Sequence, residues 1–304
     1  MASGGRHYLD DLRSGTHAVS AFGFLLHQER PEAVELGKML ASWLVDRGHE
    51  VRLLSTDALR IGRPELGVDP DEFAVGLDLV VGLGGDGTIL RAVELCSDEG
   101  VVVLGVNLGQ LGYLATVEPT QAKAAIKRFL AGAYHVEERM RLAVHIRRAD
   151  GTVHVVRSAL NEAIVERSDL GHTVRIEVAL DGEPFTPYVA DGVIIATPTG
   201  STAYAMSARG PIVDPRYLAQ VLVPVSPHML FDRALVLDPT TLVSLRCGGH
   251  RPAHLSVDGR SEGLLEPGDA IECTASDVPA QLLDVGGAGF HQVLKSKFGL
   301  HDRV

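Results

Sequence analysis

The chain has 304 residues, enough for one large domain or two, with 45% hydrophobic and 22% charged residues, an ordinary balance for a globular protein with a sizeable core. Its formal net charge of −11 gives no footprint for nucleic acid or an anionic membrane, so a polyanionic ligand must be held by local arginines, backbone amides or a metal. Cys96, Cys247 and Cys273 are odd in number and far apart, which argues against a disulfide framework or zinc cluster.

Residues 1–17 read as a flexible, polar, glycine-bearing tail. With no apolar leader and no run of spanning length, the expectation is a cytoplasmic protein. "AVSAFGFLLH" is the first strand, and Leu36, Leu40, Trp43 and Leu44 follow at helical spacing between Pro31 and Gly48. "EVRLLS", "LDLVVGL" and "VVVLGVN" are further strands, with "ILRAVELCSD" helical between the last two, and "TQAKAAIKRFLAG" is another helix. Strands alternating with helices imply a parallel sheet covered on both faces. After about residue 139 short alternating strands take over, with Asp150-Gly151 and Asp181-Gly182 at hairpin turns. "FHQVLKSKF" is helical again. The fold class is therefore an α/β N-terminal domain with a parallel sheet, a β-rich C-terminal domain, and a C-terminal helix returning to the first domain. The expected boundaries are 18–138, 139–283 and 284–304.

The chemistry begins in "VVGLGGDGTILRA". Gly82, Gly84 and Gly87 meet the G-x-G-x-x-G spacing of a dinucleotide loop. The acid that should follow about 20 residues on is replaced by Asn107, so that match reads as coincidence. Neither a Walker loop nor a protein-kinase motif set is present. Asp86 is the anomaly, because a bare carboxylate repels phosphate. It must hold a cation, accept a hydroxyl hydrogen bond or take a proton; alternatively it caps the following helix.

Gly84-Gly85-Asp86-Gly87-Thr88 resembles the signature of a superfamily containing NAD kinases, diacylglycerol and sphingosine kinases, and phosphofructokinases. Further along, "LNEAIVER" carries Asn161-Glu162, and "ADGVIIATPTGSTAYAMSARGPIV" runs from Ala190 to Val213. A hydroxyl-rich turn there offers donors for ribose and phosphate, Tyr204 offers a ring for stacking, and Glu162 and Asp191 are paired acceptors. In combination these segments resemble the bacterial NAD kinases. That resemblance implies phosphorylation of the adenosine 2′-hydroxyl of NAD, with ATP or polyphosphate as donor, a divalent metal (magnesium expected) as cofactor, and a homodimer or homotetramer. It implies no nucleic-acid or membrane partner.

Carried over by position, Asp86 resembles the proton acceptor, and Gly84, Gly85, Gly87 and Thr88 form the phosphate loop. The substrate contacts so implied are Gly87, Arg91, Asn161, Glu162, His172, Asp191, the segment Thr202, Ala203, Tyr204, Ala205, Met206 and Ser207, and Arg260. His172 also reads as a surface loop histidine. No residue is assigned to metal. Two other readings share part of the pattern: a lipid kinase, which would want an apolar acyl pocket, and a non-catalytic NAD(P)-sensing module, which would not need Asp86. Where relatives read Ser-Ala-Gly-Gly-Pro, this chain has Arg209. The expectation is that Arg209 ends a helix and Gly210 supplies its left-handed cap.

Overall fold

The structure, a computed structural model, describes residues 19–169, 171–287 and 289–300. The expected flexible tail, 1–17, lies outside the described residues. The described residues form two compact units, one from the stretches up to 137 and from 281 on, the other from 138–280.

In chain order the first unit contains β1 (Ala21–Leu26), α1 (Pro31–Val45), β2 (Glu50–Leu54), α2 (Ser55–Arg60), β3 (Gly67–Val68), α3 (Pro70–Phe73), β4 (Leu79–Gly84), α4 (Asp86–Cys96), β5 (Val102–Asn107), α5 (Ala122–Leu130) and β6 (His135–Arg139). The second contains β7 (Leu142–Arg147), β8 (Val153–Ala159), β9 (Glu162–Arg167), β10 (Val174–Leu180), β11 (Glu183–Ala190) and β12 (Gly192–Ala196). It continues through α6 (Tyr204–Ser207), β13 (Gln220–Val225), β14 (Leu235–Leu237), β15 (Val243–Gly248), β16 (Ala253–Val257), β17 (Arg260–Leu265) and β18 (Ala270–Ala275). The chain returns as β19 (Ala280–Asp284) and α7 (Phe290–Lys297).

The first sheet has the order β3-β2-β1-β4-β5-β19-β6, with β1 to β5 and β19 paired in parallel. β1 and β4 are buried along their whole length, as their unbroken apolar runs require of a sheet covered on both faces. Pro31 opens α1 with its φ already set. Ala33, Gly37, Leu40, Ala41 and Leu44 then recur on one buried face. Each fully buried leucine there contributes about 1.5–3 kcal/mol. A Cβ on Gly37 would stand 2.8 Å from Leu26 Cδ2, so that glycine is what lets α1 lie close on β1. Leu36, expected on the buried face, is only partly covered.

The second unit is a sandwich of two antiparallel six-stranded sheets, β11-β10-β15-β18-β7-β8 and β14-β13-β12-β9-β16-β17. Their inner faces share one core that includes Leu142, Ile176, Val165, Ile195 and Leu255. The hairpins expected at Asp150-Gly151 and Asp181-Gly182 join β7 to β8 and β10 to β11. A third, at Asp258-Gly259, joins β16 to β17. β9, β12 and β13 are also buried on the outer face, where Ile164, Ile194, Val221 and Val223 pack against Ala205. The segment following β12 therefore folds back over its own sheet.

Candidate active site

In the first sheet the chain order reverses between β1 and β4. Crevices outside the carboxyl ends of strands at such a switch point are where open α/β sheets bind ligands. The glycine loop leaves β4 at that place and enters α4 at Asp86, so the first N–H groups of an 11-residue helix point out of the sheet end without intrahelical acceptors.

The four glycines of the loop divide into two kinds. A Cβ on Gly82 would meet Ile89 Cδ1 at 2.5 Å, and one on Gly84 would overlap the Thr88 side chain. These two serve the close packing of α4 on β4. Gly84 and the buried Thr88, expected in the phosphate loop, face each other in this packing. Gly85 and Gly87 differ: a Cβ on either meets nothing within 4 Å, and neither has positive φ. Folding demands no glycine at either position, and the bare backbone leaves the helix N-terminus open to a ligand. Arg91 stands one turn beyond Gly87, at i+4 on the same side of α4.

Asp86 is half-buried and tied to a turn far along the chain. Its Oδ1 accepts the N–H groups of Leu114 (3.0 Å) and Ala115 (3.2 Å), and its Oδ2 accepts that of Tyr113 (2.9 Å). Three donors converge on one carboxylate, which orients it sharply. Oδ2, with a single donor, keeps a lone pair for another hydroxyl. The anchored turn is supported from the chain's end, since Tyr113 lies against Phe290 of α7 (ring centroids 6.0 Å) and beneath the Lys297 ammonium (4.9 Å). Burial, with the Asp86 charge second, pushes the Tyr113 hydroxyl above its ordinary pKa. The sequence patterns single out Asn107 but not the stretch "LGQLGYL" that follows it, where a Cβ at Gly112 would overlap the Asp86 carboxylate.

In the second unit, Glu162, Ile164 and Glu166 alternate onto the outer face of β9. Glu162 is 6% exposed. It accepts the backbone N–H of Tyr204, while its Oε2 is buried without a hydrogen-bond partner. Burial, and next the neighbouring Asp258 carboxylate, push it up to about 8. Glu162 and Asp191 do not form the expected carboxylate pair. Register places Glu162 opposite Ala196 but Glu166 opposite Gly192, roughly 13 Å further along the strand. There Asp191 pairs instead with Arg167, Nε to Oδ1 at 3.3 Å. Tyr204 connects the two ends. Its amide holds Glu162, and with Glu166, Arg167 and Asp191 it lines a cleft of about 110 Å³. Burial, then the Glu166 and Asp191 charges, push its hydroxyl above the ordinary range, against an opposing effect of Arg167.

The hydroxyls of the turn after β12 also bond to backbone carbonyls. Thr197 donates to Leu160 O (2.5 Å), Ser201 to Pro198 O (2.6 Å) and Thr202 to Thr199 O (3.2 Å). All three residues are buried, and their donated hydrogen bonds hold the turn together. Ala205, expected as a contact, is fully buried in the outer-face core; it anchors the segment. Ala203, Met206 and Ser207 remain at or near the surface beside Tyr204. Arg260 is exposed at the start of β17. His172 is exposed on the loop from β9 to β10, and no hydrogen bond or ion pair among the described residues ties it to Glu162 or Asp191. Asn161 offers its carbonyl to Thr197 N–H at 2.8 Å. The roles at 209 and 210 are reversed from expectation: Arg209 itself holds the left-handed conformation, with φ of 67°. Arg167, Glu166 and Asp258 had not been singled out. For Asp258 a signal existed, an Asp-Gly pair beside Arg260.

Comparison with known proteins agrees with both halves. A model of the ATP-NAD kinase N-terminal domain matches residues 22–134, and one of the ATP-NAD kinase C-terminal domain matches residues 160–285. The chain is 37% identical over 279 residues to an NAD kinase of Heliobacterium modesticaldum, covering 90% of this chain and 97% of the relative. It is 38% identical over 281 residues to an NAD kinase 2 of Streptomyces coelicolor, covering 91% and 93%. Among solved structures, yeast NADH kinase complexed with NADH superposes with a TM-score of 0.87 at 26% identity, over 94% of this chain and 89% of that one. An Archaeoglobus fulgidus NAD kinase in complex with ATP shares the fold, with a TM-score of 0.69 at 23% identity over 93% and 98%.

Proposed function

The chain belongs to the NAD kinase family, and from that premise we propose that it moves the terminal phosphoryl group of ATP onto the adenosine 2′-hydroxyl of NAD, giving NADP and ADP. In the step, the 2′-oxygen bonds to the γ-phosphorus as the bond to the ADP oxygen breaks, and the hydroxyl proton leaves to Asp86. The observation that carries this reading is the Asp86 carboxylate, oriented by three backbone donors with acceptor capacity left on Oδ2. Phosphoryl transfer passes through a loose transition state, so alignment and charge neutralisation carry most of the rate. The open backbone at Gly85 and Gly87, and Arg91 one turn on, serve the donor phosphates. Glu162, Asp191 and Tyr204 serve the dinucleotide, Glu162 and Asp191 as acceptors and Tyr204 as a stacking surface.

Among the described residues no three His, Cys, Asp or Glu side chains cluster as a metal cage. A magnesium ion held chiefly by the donor's phosphates, the usual habit of that ion, would need no such cage and would leave Asp86 to take the proton. Such an ion would neutralise phosphate charge. Polyphosphate as an alternative donor, and a dimeric or tetrameric state, belong to the same proposal. No helix among the described residues is long and apolar enough to cross a membrane. The test is purified protein with NAD, magnesium and ATP, scored for NADP. Formation of NADP that Asp86→Ala abolishes supports the reading, and its absence in a folded protein that still binds NAD favours a sensing role.

A further inference from the structure

The hairpin at Asp258-Gly259 differs from the other Asp-Gly turns of the sandwich in what its aspartate holds. Both of its central residues have positive φ, 47° and 76°, the signature of a two-residue type I′ turn between Val257 and Arg260. Asp181-Gly182 has the same signature, with φ of 51° and 84°. The two aspartates then part company. Asp181 accepts one distant N–H, from Leu242 at 2.9 Å. Asp258 accepts three consecutive ones from the start of β9: Leu160 on Oδ2 at 2.7 Å, and Asn161 and Glu162 on Oδ1 at 2.8 and 3.0 Å. Its own N–H donates back to Glu162 O at 3.0 Å.

Three successive N–H groups converge on one anion only when the backbone curls into a concave nest. The Asp258 carboxylate therefore sets the conformation at the residues that present Asn161 and Glu162. The opposite side of this corner is fixed too. Thr197 donates both its N–H to Asn161 O and its hydroxyl to Leu160 O, and a Cβ on Gly200 would collide with the Asn161 backbone. The Asp258 carboxylate bonds the corner's own N–H groups directly, and it lies close enough to Glu162 to disfavour a second negative charge there.

The geometry points to Asp258 as a positioning residue for the dinucleotide: it touches no substrate, but holds the corner from which Asn161 and Glu162 meet it. This rests on the NAD kinase reading for the identity of the ligand. The turn alone would not call for aspartate, because Asn-Gly serves a type I′ turn equally well. Asparagine at 258 can keep its oxygen toward Asn161 and Glu162, but then sets its amide against the Leu160 N–H, leaving that donor unmet.

The experiment compares Asp258→Asn with Asp181→Asn, its counterpart in the matching turn, both in the full chain with ATP, magnesium and varied NAD. For Asp258→Asn, KM for NAD should rise about tenfold, the scale of one unmet buried donor, while kcat stays within about threefold. Asp181→Asn should leave both unchanged. Calorimetric titration with NAD alone should show the same loss of affinity for Asp258→Asn. An unchanged KM and Kd in that variant would make Asp258 a turn residue and overturn the inference, and so would an equal rise in both variants. If the parent protein forms no NADP, the catalytic reading fails, while the NAD titration still decides the role of Asp258.

Discussion

Asp86 and Gly112 stand so close that a Cβ on the glycine would lie 2.8 Å from the carboxylate carbon and overlap Oδ1. The 112–115 turn can wrap the carboxylate only because position 112 has no side chain. Gly112→Ala should push the carboxylate off its three donors without touching either core. A displacement of that order at a reacting group costs roughly 10²-fold in rate, so kcat should fall by about that factor while thermal unfolding stays near the parent's. A folded variant with near-parental kcat would show that the wrapped geometry is dispensable.

Asp86→Asn is less clean a test than its isosteric shape suggests. The asparagine amide would face an N–H that the carboxylate now accepts, so the variant loses an anchor as well as a base. Loss of the base alone predicts a fall in kcat of roughly 10²–10⁴. A base role requires Asp86→Asn to lose clearly more rate than Gly112→Ala, which disturbs the anchor alone. Equal losses in the two variants would reduce Asp86 to an anchor. Amide exchange at Tyr113, Leu114 and Ala115, faster in both variants, reports the shared part.

What could be read from the sequence follows from what sequence patterns encode. Apolar runs and helical spacing gave the parallel sheet, and the Asp-Gly pairs at 150–151 and 181–182 gave the hairpins, because those signals are local. The strand Gln220–Val225 escaped because Pro224 interrupts its apolar run, and a proline argues against a strand interior. The hydroxyls at 197–202 show a related limit: composition shows how many donors a turn has, not that Leu160 O, 37 residues earlier, takes one of them. The turns that Asp86 and Asp258 hold are likewise invisible locally, since their acceptors and donors are separated by 27–29 and 96–98 residues.

Glu162 makes a prediction about pH. Its carboxyl is raised from 4.5 to about 8 in the folded protein, by burial first and Asp258 second. Between those values the native state keeps a proton that the unfolded chain releases. The stabilisation from this proton is complete below about pH 4.5 and is lost as pH rises through about 8. The amide of Glu162→Gln does not titrate there. Urea unfolding at pH 5 and pH 8 should therefore show the parent losing stability relative to Glu162→Gln as pH rises. A difference between the two proteins that is flat with pH would mean that Glu162 is ionised in the fold.

Arg209 brings the last prediction. The helix α6 ends in a Schellman arrangement, in which Gly210 N–H donates to Ala205 O at 2.8 Å and Arg209 N–H to Met206 O at 3.0 Å. Arg209 occupies the left-handed position that glycine fills at little cost. Gly210 is needed for another reason: a Cβ there would stand 2.8 Å from Ala205 O and 3.0 Å from Val223 Cγ2. An L-residue in that conformation costs about 1–2 kcal/mol, partly offset because glycine also loosens the unfolded chain. Arg209→Gly should therefore stabilise the protein by roughly 0.5–1 kcal/mol, read as a higher urea midpoint with an unchanged slope. Gly210→Ala should destabilise it by crowding that carbonyl. The exposed Arg209 side chain follows directly on the segment that carries Tyr204. If its role is structural, kcat/KM for NAD in Arg209→Gly stays within about tenfold of the parent. A stabilised variant with a larger fall would mean that the backbone strain is retained because the guanidinium meets a ligand phosphate.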